Sequence, residues 1–195
     1  MKTKKKTPDP TVAILEELNR YVALARYEWT TYLTLYSDSA TREILDRTAP
    51  PFFSTLQLQM RSSVVLSLAR LFDRNIPEQR NLTLYALLDA VKATADPDLV
   101  SSLAQRVDEA RAEAEPIRQE RHKRIAHLDW ETMLSDPRAW DVPEQQISSL
   151  LEKVESIVDQ ADRELRGVAH FRHVYSDLAK VHVAQLVGKL PATEL

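Results

Sequence analysis

Residues 103–129 read LAQRVDEARAEAEPIRQERHKRIAHLD, and the fold follows from their spacing. Leu103, Val107, Ala110, Ala114 and Ile117 recur every three or four residues, and the series runs on through Arg121 to Ile125 and Leu128. This is the period of one helix face turned toward a core. Arg121 therefore interrupts an apolar stripe. A charge on such a face must be paired or must meet a polar cavity, because an unpaired charge in a low dielectric is very costly. The same stretch gathers Arg118, Arg121, His122, Lys123, Arg124 and His127 within about three helical turns. Nowhere else is so much cation set beside titratable imidazoles.

Working outward, Pro116 lies inside this helix and predicts a kink or a division one turn before Arg121, because proline removes an N–H and crowds the preceding turn. Upstream, Pro10 and Thr11 open a long helix with apolar positions Val12, Leu15, Leu18, Val22, Ala25, Trp29, Leu33 and Tyr36, ending near residues 37–40. A short helix over 41–47 and a core helix over about 52–73 follow, separated by Pro50 and Pro51. Residues 83–92 form a shorter helix, and Pro97 starts the one described above. Downstream, Ser135, Asp136 and Pro137 predict a loop, a helix runs from Val142-Pro143-Glu144 to about Arg166, and residues 168–190 are helical. The class is all-α, an antiparallel helical bundle with additional peripheral helices.

Composition agrees. The chain of 195 residues holds two glycines and no cysteine. Gly-rich phosphate cradles, disulfides, thiolate nucleophiles and Cys-ligated zinc are excluded. One domain over 11–190 is expected behind a disordered basic tail over 1–10, which carries Lys2, Lys4, Lys5 and Lys6. With a net charge of −3 despite those lysines, the body is no general polyanion clamp, so nucleic-acid contact requires the local patch at Arg118, Lys123 and Arg124. No apolar run is long enough to span a bilayer and no signal peptide is present, which predicts a cytoplasmic protein without membrane contact. The ligand sets and loops for flavin, nicotinamide, haem or a structural metal are missing, so no cofactor is expected. His170, His173 and Asp177 share one face of a possible helix at metal-ligand spacing, but a solvated surface is the more frequent meaning of such a cluster; His182 falls off that face. Trp29 is core by its spacing, whereas Trp130 and Trp140 flank the basic segment and could stack on bases.

An arginine followed after four to six residues by a histidine arises by chance in this chain, as Arg163 with His170 and Arg166 with His173 show. The full string from Arg121 to Asp129, late in a helical domain, is more specific. It resembles the HEPN superfamily, in particular its AbiU-like branch associated with abortive infection in bacteria, and Leu68-Ala69-Arg70-Leu71-Phe72-Asp73 is similar to a second signature of that branch. The resemblance implies a helical bundle, often dimeric, and in active members a metal-independent endoribonuclease in which paired Arg and His motifs face each other across the dimer. It implies Arg121 and His127 as catalytic residues and His122 and Asp129 as supporting ones. His122 stands where the family usually has asparagine, and Asp129 stands where some HEPN toxins carry a tyrosine modified by a partner nucleotidyltransferase. An antitoxin partner belongs to the same expectation.

The chemistry of these residues is compatible. On an ideal helix Arg121 and His127 are separated by roughly 240° of rotation, so one chain offers two half-sites and a twofold axis could join them. His127 would then take the proton of a ribose 2′-OH while Arg121 stabilised the charged phosphorane. The alternative is a catalytically inactive module that binds RNA, a nucleotide or a partner protein, with Arg121 and His127 bonding the dimer or closing a helix end.

Overall fold

The computed structural model describes residues 9–74, 81–126 and 141–190. Among them are seven α-helices and no strand: α1 (Pro10–Tyr36), α2 (Ser39–Thr48), α3 (Pro50–Leu71), α4 (Leu84–Lys92), α5 (Pro97–Glu120), α6 (Glu144–Arg166) and α7 (His173–Val187). A π-helical segment, Arg121–Ala126, continues α5.

The helix starts follow from capping chemistry. Asp9 Oδ1 accepts the N–H of Thr11 at 2.8 Å, Asp38 Oδ2 that of Thr41 at 2.8 Å, Thr83 Oγ1 that of Ala86 at 3.1 Å, and Asp96 Oδ1 that of Asp98 at 2.8 Å. Each carboxylate or hydroxyl satisfies a donor that the first helical turn leaves open. Pro10, Pro50 and Pro97 occupy first-turn positions where a missing N–H costs little. At the other end of α6, Gly167 adopts φ +67°, the left-handed conformation that ends a helix most readily when no Cβ is present.

Helix α1 is the axis of the bundle, packing against α2, α3, α4, α6 and α7. Its buried face holds Leu15, Leu18, Val22, Ala25, Trp29, Tyr32 and Leu35. Leu33, expected in the core by its spacing, is only partly buried, and Tyr32 and Leu35 take the core positions instead. Polar contacts along α1 fix the direction of its neighbours. Asn19, Arg26, Trp29 and Tyr32 bond Asp162, Glu155, Ser148 and Glu144 in turn, so α6 runs antiparallel to α1. Tyr21, Glu28 and Tyr36 meet Ser67, Ser63 and Phe53, so α3 does too. The indole N–H of Trp29 donates to Ser148 at 2.8 Å, and its ring stacks on Tyr32 at 4.8 Å, which satisfies the only polar atom of a fully buried side chain.

Three local expectations are corrected. Of the kink or division expected at Pro116, the division does not occur: α5 runs unbroken through Pro116 to Glu120, and the backbone takes π geometry from Arg121. The C-terminal helix is shorter than 168–190, because Gly167 breaks the chain and α7 starts at His173. Finally, His170 precedes that helix, so His170, His173 and Asp177 do not form one helical face. His170 Nε2 instead contacts Asp162 Oδ2, and the described residues contain no group of three or more potential metal ligands.

That Asp162 contact belongs to the anchorage of α7. Asp162 is fully buried and also receives Asn19 Nδ2 at 2.8 Å and Arg166 Nη2 at 2.7 Å. Burial works against its charge, but the hydrogen bonds from Arg166 and His170 outweigh burial and hold its pKa below the ordinary aspartate value of 3.8. Arg172 closes the junction by donating to Asp159 at 3.0 Å and to the carbonyl of Asn19 at 3.3 Å. Helix α7 itself buries only Ala179 and Val183.

Candidate functional site

The site begins with the exit of α5. Leu103, Val107, Ala110, Ala114 and Ile117 are all buried, as their period requires, and the next position on that face is Arg121. Its guanidinium does not enter the core. Arg121 Nη2 lies 3.8 Å from Asp73 Oδ2, just beyond the end of α3, and the side chain retains 32% of its exposure. At that distance the pair is electrostatic and loose, since a charge-assisted hydrogen bond closes to about 2.7 to 2.9 Å. Its Nε is buried and has no hydrogen-bond partner among the described residues, as is also true of Arg118 Nε. Asp73 does not pair with Arg70, although the two are three residues apart.

Of the remaining cations, Arg118 and Arg124 are each held by a neighbouring carboxylate. Arg118 Nη1 is tied to Glu115 Oε2 at 2.9 Å. Arg124 Nε sits 2.5 Å from Glu120 Oε1, with the two side chains only 8% and 2% exposed. Glu120 Oε2 further accepts the N–H of Asp141 at 3.4 Å. Two of the three residues expected to contact RNA, Arg118 and Arg124, are thus already neutralised by neighbours on their own helix. Lys123, the third, is exposed. His122 is exposed beside it. Glu115, Arg118, Gln119, Arg121, His122 and Lys123 line a surface cavity of about 260 Å³.

A second cavity, of about 280 Å³, is lined by Tyr21, Arg70, Asp73, Asn81 and Leu82. Asp73 lines this cavity while pairing with Arg121, which lines the first, so one ion pair joins the two. The string Leu68-Ala69-Arg70-Leu71-Phe72-Asp73 is therefore part of the same neighbourhood as the basic segment. Phe72 contributes from the backbone side as well, its carbonyl accepting Arg111 Nη1 at 2.9 Å and bracing the end of α3 against α5.

The structure places Arg121, His122, Lys123, Arg118 and Arg124 on one helix end. His127, Asp129, Trp130 and Trp140 lie outside the described residues. Sequence reasoning missed Glu120 and Asp73 as partners of this segment. Glu120 was findable, because a glutamate four residues before an arginine on a helix is a pairing signal. Asp73 was not, since its partner is 48 positions away.

The site is thus a basic helix end at Arg121 meeting Asp73, which follows α3 between Arg70 and Arg74, in an all-helical bundle. The chain belongs to the AbiU2 family of HEPN domains, whose model, HEPN_AbiU2, matches residues 9–185. No curated protein and no solved structure matches the chain. Among the described residues, no helix is long and apolar enough to cross a membrane.

Proposed function

We propose that the protein is a metal-independent endoribonuclease of a bacterial defence or toxin–antitoxin system, acting in the cytoplasm as a homodimer whose site combines Arg121 of one chain with His127 of the other. One observation carries this reading. Arg121 occupies a core-facing position yet, among the described residues, meets only the carboxylate of Asp73, at 3.8 Å, beside a solvent-open cavity. A contact of that length leaves the guanidinium donors open to an anionic ligand, which would close to about 2.7 to 2.9 Å. The π geometry that begins at Arg121 is also typical of helix segments shaped by function.

In the proposed reaction His127 takes the 2′-OH proton, and the 2′ oxygen attacks the adjacent phosphorus. The bond to the 5′ oxygen breaks, and that oxygen takes a proton from solvent. Arg121 stabilises the extra negative charge on the phosphorane. The products carry a 2′,3′-cyclic phosphate and a 5′-hydroxyl. Only RNA has the required nucleophile. The second reading, a binding module without catalysis, draws support from the neutralisation of Arg118 and Arg124 by Glu115 and Glu120.

The test is incubation of the purified protein with single-stranded RNA in chelator, beside an Arg121→Ala/His127→Ala variant. The proposal expects cleavage with cyclic-phosphate ends by the wild type and a loss of roughly 100-fold or more in the variant. Equal cleavage by both would remove these residues from the mechanism.

A further inference from the structure

The cavity formed by Tyr21, Arg70, Asp73, Asn81 and Leu82 touches the reaction just described through Asp73 alone. Its lining combines an aromatic ring, a cation, a carboxylate, an amide and an apolar side chain. Tyr21 contributes an aromatic ring, with its hydroxyl donating to the carbonyl of Ser67 at 3.4 Å. Leu82 adds an apolar wall and Asn81 an amide that can both donate and accept. Arg70 is exposed and makes no ion pair or side-chain hydrogen bond with any described residue. It differs in this from Arg118 and Arg124. At about 280 Å³ the cavity falls just below the range of drug-sized pockets, which begins near 300 Å³, so it suits one planar group rather than an extended ligand.

We infer that this cavity is a subsite for one unpaired nucleobase of the RNA, with Arg70 holding the phosphate next to it, adjoining the position where Arg121 meets the reacting phosphate. The inference rests on the proposed function and adds the substrate's form to it. An unstacked base offers a π face to Tyr21, while a base stacked and paired in an A-form helix does not. The substrate class is therefore single-stranded RNA or a loop. Asp73 connects the subsite to the reaction, because it borders the cavity and pairs with Arg121. Filling the cavity with a base would fix the strand at the point from which its phosphate reaches Arg121.

The experiment measures binding of a fluorescent single-stranded 2′-O-methyl oligoribonucleotide, which has no free 2′-OH and is not cleaved, to the full-length chain. Arg70→Ala is expected to weaken binding roughly tenfold and to reduce the salt slope by about 0.7, the value for one phosphate on a single strand. Tyr21→Leu is expected to weaken it by roughly 5-fold to 150-fold, the range for one lost stacking partner, while Tyr21→Phe keeps the ring and most of the affinity. Oligonucleotides with one abasic position should then show a single place where removing the base weakens the wild type but leaves Tyr21→Leu unchanged. If Arg121→Ala weakens binding but Arg70→Ala and Tyr21→Leu do not, the subsite is wrong and the proposed function stands. If Arg70→Ala and Tyr21→Leu weaken binding but Arg121→Ala neither weakens it nor reduces cleavage, the cavity binds RNA and the proposed role of Arg121 fails. Absence of any RNA binding overturns both.

Discussion

Arg121 and Arg124 share a helix end but differ in how their charge is met. The Arg124 guanidinium is buried with Glu120, and removing one member of a buried pair leaves the other charge uncompensated. Glu120→Ala is therefore expected to destabilise the fold by about 3 kcal/mol, measured as a shift of the urea midpoint. Arg121 and Asp73 are partly exposed and 3.8 Å apart, a pair whose net worth in stability is about 1 kcal/mol or less. Asp73→Ala should barely change the urea midpoint. It should still lower RNA cleavage by about tenfold or more through kcat, because a guanidinium without its orienting carboxylate is misplaced for the phosphorane. A fall in stability as large as that of Glu120→Ala, with unchanged cleavage, would make Asp73 structural.

At the scale of elements, α6 and α7 meet at Gly167, whose φ of +67° is a conformation that other residues adopt at a cost. A Cβ built there meets nothing within 4 Å, so the penalty of Gly167→Ala is backbone strain alone, about 1 kcal/mol by the same denaturation measurement. The junction also sets a pH dependence through Asp162. Its folded-state pKa lies below 3.8, so its contribution is fully present at neutral pH and is lost as pH falls below about 4. Asp162→Asn should cost about 3 kcal/mol near pH 7. Its difference from the wild type should shrink in acid rather than in alkali, and a difference that stayed constant down to pH 3 would contradict the assignment.

These same elements separate what the sequence carried from what it did not. The period of Leu103 to Ile117 is a local signal, and that helix ran accordingly, whereas the short helix expected over 41–47 begins two residues earlier, at Ser39. The π segment left no such signal, because Ile117, Arg121 and Ile125 satisfy an α period equally well. Its consequence reaches the site, since the rotation of roughly 240° between Arg121 and His127 presupposes α geometry that the backbone abandons at Arg121. Buried charges were equally hidden: Glu155 reads as a surface residue between Val154 and Ile157, yet it is buried against Arg26 from α1.

For the whole molecule, the bundle is organised around α1, which packs on α3, and α3 in turn packs on α5. The proximity of Asp73 to Arg121 is a product of that topology and could not be read from either segment alone. The AbiU2 match covers residues 9–185 and so spans both. HEPN domains often dimerise, and the proposed mechanism needs that property, with each chain supplying half of two identical sites.

The central claim is that cleavage requires Arg121 and His127 from different chains. The most direct measurement mixes the Arg121→Ala and His127→Ala proteins under conditions where chains exchange, with exchange verified by differently tagged copies. A mixed dimer then contains one doubly damaged site and one intact site, and the account predicts RNA cleavage that neither variant shows alone. Verified exchange with no recovery of cleavage would contradict a site assembled in trans.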